Sequence, residues 1–232
     1  MNAAHDDRGF APSCERNRQP ILNVLSEVLP EKANVVEVAA GTGEHAFHFT
    51  KAHPGWTWHP TDPDASALKS QRAWRANAAH ARIALPVQLD VLDDDWPKTM
   101  LAAFENADQT SDESSNEEAA RRIRAKELNV LFCANMIHIS PWACTQALFQ
   151  GAAQLLGDDA IVVTYGPYKK DGEFTSEGDV RFEVWLKEKD PRFGVRDVAD
   201  VSEVAKKAGW IFVDEKEMPV NNKILVFNRM PN

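Results

Sequence analysis

Hydrophobic positions in this chain fall into two alternating rhythms, short continuous runs of strand length and stripes at helical spacing. Ile21, Leu22, Leu25, Val28 and Leu29 make the first stripe, which predicts a helix over Ser13–Leu29 that stops at Pro30. The pattern then predicts a strand over 34–39, a helix over 44–53, a strand over 56–61, a helix over 64–79, strands over 85–90 and 128–134, a helix over 141–156 and a strand over 159–165. Apolar strands taken in turn with helices describe a doubly wound α/β sheet, because a sheet covered on both faces buries strands of that kind. Helical stretches around Val180–Lys189 and Val198–Ala208 lead to two last runs, Trp210–Lys216 and Lys223–Arg229. So short a connection closes an antiparallel hairpin, since a parallel return needs a dozen residues or more. The count comes to seven strands.

Composition narrows the class. A chain of 232 residues with 44% hydrophobic content suits one α/β domain over 1–232 with a substantial core. The pattern breaks at Phe104–Glu127, acidic and rich in Ser and Asn ahead of Arg121, Arg122 and Arg124; this stretch, 104–127, reads as a solvated insertion with a short mixed-charge helix. A net charge of −9 argues against a phosphate-binding face, so nucleic acid is not expected as a partner. Neither eighteen apolar residues in a row nor a basic and apolar leader occurs, which points away from the membrane and toward the cytoplasm. Cys14, Cys133 and Cys144, odd in number and scattered, read as small buried side chains in a reducing setting.

Candidate chemistry begins at residues 37–46, Glu-Val-Ala-Ala-Gly-Thr-Gly-Glu-His-Ala. A Gly-x-Gly turn directly after a strand lets the backbone approach a ligand, and the helix that follows points its N-terminus at it. Such turns also serve as plain strand-to-helix corners. The downstream sequence favours the ligand reading, for Asp62 comes nineteen positions after Gly43 at the end of the second strand, where an acidic residue receives ribose hydroxyls. Asp90 ends the third strand. Glu37, Asp62 and Asp90 would then converge on one crevice, because a parallel sheet gathers its carboxyl ends on one side; the competing reading makes Asp62 or Asp64 an N-cap of the next helix. His45, His48, His53 and His59 lack the spacing and companions of a metal site, and no metal is expected.

Topology separates the cofactors. A nicotinamide-binding domain has six parallel strands, whereas seven strands with a terminal antiparallel hairpin and a helix before the first strand are the plan of class I methyltransferases; Ala46 in the third glycine position excludes neither. The expected fold is thus a seven-stranded, doubly wound, Rossmann-like methyltransferase sheet with a C-terminal antiparallel hairpin. Blocks in order along the chain carry a closer resemblance: Glu15-Arg16-Asn17-Arg18-Gln19-Pro20-Ile21-Leu22, Ala40-Gly41-Thr42-Gly43-Glu44-His45-Ala46, Asn135-Met136-Ile137-His138-Ile139-Ser140-Pro141-Trp142, Tyr165-Gly166-Pro167-Tyr168, Asp190-Pro191-Arg192-Phe193-Gly194-Val195-Arg196-Asp197 and Asn221-Asn222. Together they resemble the methyltransferase-like 26 family, formerly domain of unknown function 938. Ala40, Glu44 and Phe193 stand where that family commonly has Ser, Gln and Trp.

The resemblance implies an S-adenosylmethionine-dependent methyltransferase with a small-molecule acceptor. Gly41 and Gly43 would take the methionine moiety against the backbone, Asp62 the ribose and Asp90 the adenine amino group. Asn135–His138 would border the transferred methyl, and Arg16 with Asn17 would cap the cofactor's carboxylate or the acceptor. His138 is the candidate general base, its ordinary pKa near 6.5 suiting proton removal at neutral pH; the alternative is a buried histidine bonded to backbone. Tyr165 and Tyr168 either wall an acceptor pocket or pack, while Trp142, Trp185 and Trp210 read as core. Two other classes stay open, a cofactor-binding protein without catalysis and a NAD-dependent oxidoreductase.

Overall fold

A computed structural model of the protein describes residues 6–78, 82–107 and 128–231. Its elements run α1 (Pro12–Val28), β1 (Ala33–Val38), α2 (Glu44–Ala52), β2 (Trp56–Asp62), α3 (Ala65–Ala76), β3 (Val87–Gln88), α4 (Trp96–Ala107), β4 (Val130–Ala134), α5 (Trp142–Leu155), β5 (Ile161–Lys169), α6 (Glu177–Lys189), β6 (Arg196–Asp197), α7 (Val198–Lys207), β7 (Trp210–Glu217) and β8 (Asn222–Arg229). Short polar side chains set several starts. Asp64 caps α3 by accepting from the Ser66 N–H at 2.8 Å, Ser176 caps α6 through Asp179 and Asp197 caps α7 through Ala199.

The sheet order is β3-β2-β1-β4-β5-β8-β7, with β6 paired to the far end of β5. All pairings from β3 to β5 are parallel, while β8 runs antiparallel to both β5 and β7. The main path therefore has the seven strands and terminal hairpin expected. Order reverses between β1 and β4, and at that switch point the two strand ends part and leave a crevice above the sheet.

Alternate residues of each strand face opposite layers. Val36, Leu131, Cys133, Val162 and Phe227 pack against α4, α5 and α7, where Leu148, Phe149 and Val201 are buried. Val35, Trp58, Phe132, Val163 and Val226 meet α1 and α2 through Ile21, Leu25 and Phe49. The same odd positions of β1 include Glu37, a carboxylate 1% exposed amid apolar side chains.

Three features differ from the expected pattern. The strand expected over 85–90 shrinks to Val87–Gln88, because Pro86 has no N–H to pair and Asp90 turns the chain by accepting from the Leu92 N–H at 2.9 Å. Helix α4 was not foreseen; its Trp96 and Met100, buried one turn apart, are the signal. The insertion expected over 104–127 overlaps the last turn of α4, and its remainder, 108–127, lies outside the described residues.

Gly151 of α5 allows α4 to dock, for a Cβ there would meet the Trp96 indole at 2.1 Å. Gly151→Ala is expected to destabilise the protein by about 1–3 kcal/mol through overpacking. Thermal denaturation followed by circular dichroism should register a drop of roughly 2–12 °C. An unchanged midpoint would mean that Trp96 turns away freely and that α4 is not locked to α5.

Candidate functional site

Above the switch point lies a cavity of about 400 Å³, bordered by the carboxyl ends of β1 to β4 and roofed by the start of α1. That volume suits a ligand of cofactor size. The connection from β1 to α2 builds one wall with three left-handed residues, Ala39 at φ 56°, Gly41 at 55° and Gly43 at 88°. Side chains resist this conformation, so glycine serves there, while Ala39 holds it against a cost of about 1–2 kcal/mol.

The two glycines have different tasks. A Cβ on Gly41 would meet nothing within 4 Å, and the residue lines the cavity, so its bareness leaves room for a ligand. A Cβ on Gly43 would strike Gln71 of α3 at 2.9 Å, and Gly43 is absent from the lining. Gly43 lets α3 pack beneath the loop, where Gln71 donates to the Gly41 carbonyl at 2.9 Å.

The three carboxylates likewise divide. Asp62 lines the cavity and accepts from the Gly41 and Asp64 N–H groups at 2.9 and 3.0 Å, one bond per oxygen, so each oxygen keeps acceptor capacity. Asp90 lines the same cavity from the end of β3 and is exposed. Glu37 does not reach the lining. Its oxygens accept from the Trp58 indole at 2.6 Å and meet His45 Nδ1 at 3.3 Å, so it supports the crevice from below.

Beyond His45 the network continues to α1 and β5. His45 Nε2 meets Asn17 Oδ1 at 2.9 Å, and Asn17 also hydrogen-bonds the Tyr165 phenol. Burial pushes that phenol's pKa up, while Asn17 and the charge of Arg16 pull the other way. Arg16 itself is exposed beside Tyr165 and outside the lining; from α1 it is Ser13 and Cys14 that face the cavity. The segment before α1 is strapped across the loop: Ala11 donates to Glu44 Oε2 at 2.6 Å, Gly9 donates to Ser70 Oγ at 2.7 Å, and Trp74 donates to the Gly9 carbonyl at 3.0 Å. Sequence reading missed Glu44, Ser70 and Trp74, whose partners are distant in the chain; Glu44 at a helix start was the one local hint.

At the end of β4, Asn135 lines the cavity with φ 60°, its N–H donating to the Tyr165 carbonyl at 2.8 Å. His138 does not line it. Its ring packs 5.4 Å from Phe182 and against Gly166, and burial, aided by the charge of Arg196, lowers its pKa to about 4. A ring so placed is held neutral near pH 7 beside Phe182 and Gly166. Cys14, Cys133 and Cys144 are free and buried, and burial raises all three thiol pKa values, which keeps them protonated. The remaining histidines scatter: His48 meets Gln19, His53 meets Ser26, and His59 is buried in β2. Trp210 is core, whereas Trp185 is half exposed. Among the described residues, no group of three His, Cys, Asp or Glu could hold a metal ion, and no helix is long and apolar enough to cross a membrane.

A family model described as "Protein of unknown function (DUF938)" matches residues 8–229. Among solved structures, an O-methyltransferase family protein from Burkholderia thailandensis matches with a TM-score of 0.69 at 15% identity, covering 95% of this chain and 58% of that one. The S-adenosylmethionine-dependent methyltransferase SibL in its apo form matches at 0.68 and 15%, covering 94% and 56%. CalO1, a methyltransferase in calicheamicin biosynthesis, in its SAH-bound form, matches at 0.64 and 13%, covering 94% and 54%. Similarity at these identities is one of fold, that of Rossmann-like methyltransferases. The chain spans little more than half the length of the proteins it matches.

The buried histidines give stability a pH dependence. His59 and His138 both have pKa values lowered from 6.5 to about 4, chiefly by burial, so below 6.5 the unfolded chain binds protons that the fold refuses. Stability should therefore fall as pH drops from 6.5 toward 4, by about 3 kcal/mol per histidine in all. Urea unfolding at intervals between pH 7 and 4.5 tests this, with His138→Gln expected to flatten the slope by about 1.4 kcal/mol per pH unit. An equal slope in that variant would mean that His138 titrates alike in both states.

Proposed function

Because the chain belongs to the DUF938 family of proteins of unknown function, its activity has to be read from the site, and we propose that it is an S-adenosylmethionine-dependent methyltransferase with a small-molecule acceptor. One observation carries the reading: a cavity at the sheet's switch point has the open face of Gly41 on one side and the Asp62 carboxylate on the next strand. The antiparallel β8 between β5 and β7 supports a methyltransferase over a nicotinamide-binding domain. The narrower resemblance to the methyltransferase-like 26 family belongs to the same proposal.

The residues fit the cofactor. Gly41 offers backbone at close approach, Asp62 keeps acceptor capacity for ribose hydroxyls, and Asp90 stands one strand farther for the adenine amino group. Two carboxylates in the lining also favour a cationic ligand. The bound cofactor supplies a sulfonium methyl that is already electrophilic. The chain then has to align it, and well-oriented reactants recover roughly 7–11 kcal/mol of barrier. Asn135 closes the reacting end, while His138 holds the wall behind it against Phe182. A net charge of −9 suits a small acceptor better than a polyanion.

Calorimetry with S-adenosylhomocysteine should find one site per chain. At 100 times its dissociation constant the ligand should add about 2.7 kcal/mol of stability. Asp62→Ala removes acceptors worth about 1.5–3 kcal/mol and should weaken binding roughly 10- to 150-fold. Asp64→Ala should instead lower the melting temperature as a lost cap, with affinity unchanged. No thermal shift from folded protein at millimolar ligand would overturn the cofactor assignment. Unaltered affinity in Asp62→Ala would leave Asp62 as a brace for Gly41 alone.

A further inference from the structure

We propose that the outer face of α6 is a self-association surface, on which two copies of this chain pair antiparallel about a two-fold axis passing between Val184 and Trp185. The helix has two unlike sides. Leu186, fully buried, and Asp179 face the protein, as does Glu183, whose carboxylate accepts from the Val195 N–H at 2.6 Å. The other side carries Val180, Val184 and Trp185, which are 45%, 55% and 46% exposed. Large apolar side chains grouped on one helix, rather than scattered singly, mark a contact surface.

Trp185 is held ready for a partner. Its indole stacks on Phe182 with ring centres 5.6 Å apart and planes 13° apart, and the Lys189 ammonium lies 5.5 Å from its centre. A ring already fixed by its neighbours gives up little freedom when a second surface covers it. Tryptophan is also among the side chains that most often anchor an interface.

The charges around that apolar pair decide which partner fits. Arg181 and Glu188 stand three positions to either side of Val184 and Trp185, and Glu177 and Arg192 stand seven to either side. Three and seven are spacings that return to one face of a helix, although Arg192 lies just past the end of α6 at Lys189. The order of signs is negative then positive before the pair and negative then positive after it, which is its own complement when reversed. Laid antiparallel, Arg181 meets Glu188 of the partner subunit, Glu177 meets Arg192 of the partner subunit and Val184 meets Trp185 of the partner subunit, each twice by symmetry. Val180 falls opposite Lys189 of the partner subunit, whose aliphatic stem covers it. A parallel pairing sets every charge against its like. Arg181 has a long contact of 3.7 Å with exposed Glu177 in its own helix, and Glu188 has no ion-pair partner among the described residues, so both are open to a second copy. Self-complementarity is what an isologous contact requires and what a foreign partner does not. Thirteen residues give about 20 Å of helix, so the contact is small and dissociates in the micromolar range.

Sedimentation equilibrium on the whole chain, from about 1 µM to about 1 mM, should show monomer and dimer in exchange, no larger species, and a dissociation constant of roughly 1–100 µM. Trp185→Ala should weaken the dimer at least about 30-fold, the scale of an interface hot spot. Arg181→Glu and Glu188→Arg should each weaken it about 10-fold, and the two combined in one chain should restore it, because each pair is rebuilt with its signs exchanged. Circular dichroism checks that the variants fold, and the exposed charged positions keep the test decisive if Trp185→Ala does not. A chain that stays monomeric to the highest concentration would overturn the proposal, as would a dimer that all three single variants leave intact. Single charge variants that weaken the dimer without rescue in the double variant would overturn the antiparallel register.

Discussion

The interaction on which the architecture turns is the burial of the Glu37 carboxylate in the middle of the sheet. A charge 1% exposed among Val35, Phe132 and Trp58 is tolerable only if its oxygens are engaged, since isolated burial costs far more than any packing returns. The partners come from different elements, Trp58 from β2 and His45 from α2. Through His45 the chain of contacts reaches Asn17 of α1, and through Asn17 it reaches Tyr165 of β5. Five elements around the cavity are thereby placed relative to one another by a single polar requirement. Apolar packing alone would tolerate sliding; a directional network does not.

Strain and clamping sit where that network ends. Ala39, Gly41, Gly43 and Asn135 occupy left-handed conformations at the exits of β1 and β4. The strap ahead of α1 opposes any relaxation of the loop, with Glu44 gripping Ala11 and Thr42, and Ser70 bridging Gly9 to the Thr42 carbonyl. Strain stored at a site has to be over-determined by its surroundings. Here much of the overdetermination comes from Gly9, Glu44 and Ser70, which have no place in the cavity lining.

This division explains what could be read from sequence. Strand and helix alternation, the terminal hairpin and the glycine turn are local periodicities, so α1, β1, β2, β4, β5 and the last two strands lie within a few residues of their expected bounds. Asp64 was ambiguous between site and cap and is a cap, because its geometry relative to Ser66 is set by the helix it begins. Gly41 and Gly43 look equivalent in the motif and differ only by what α3 brings beneath the second. Glu37, His45 and Asn17 are joined by bonds spanning 8 and 28 positions, which no local pattern encodes. His138 could be read as a base or as a buried histidine, and the packing of Phe182 of α6 against its ring comes from 44 positions away.

Charge then links fold to site. Glu37 of β1 and Asp62 of β2 are both buried carboxylates, and each accepts one hydrogen bond on each oxygen. Place separates them: Asp62 borders the cavity and keeps acceptor capacity toward it, while Glu37 is sealed among apolar side chains and can only hold the walls in register. One residue type thus does two jobs in neighbouring strands, and the side of the sheet end on which each carboxylate emerges decides which.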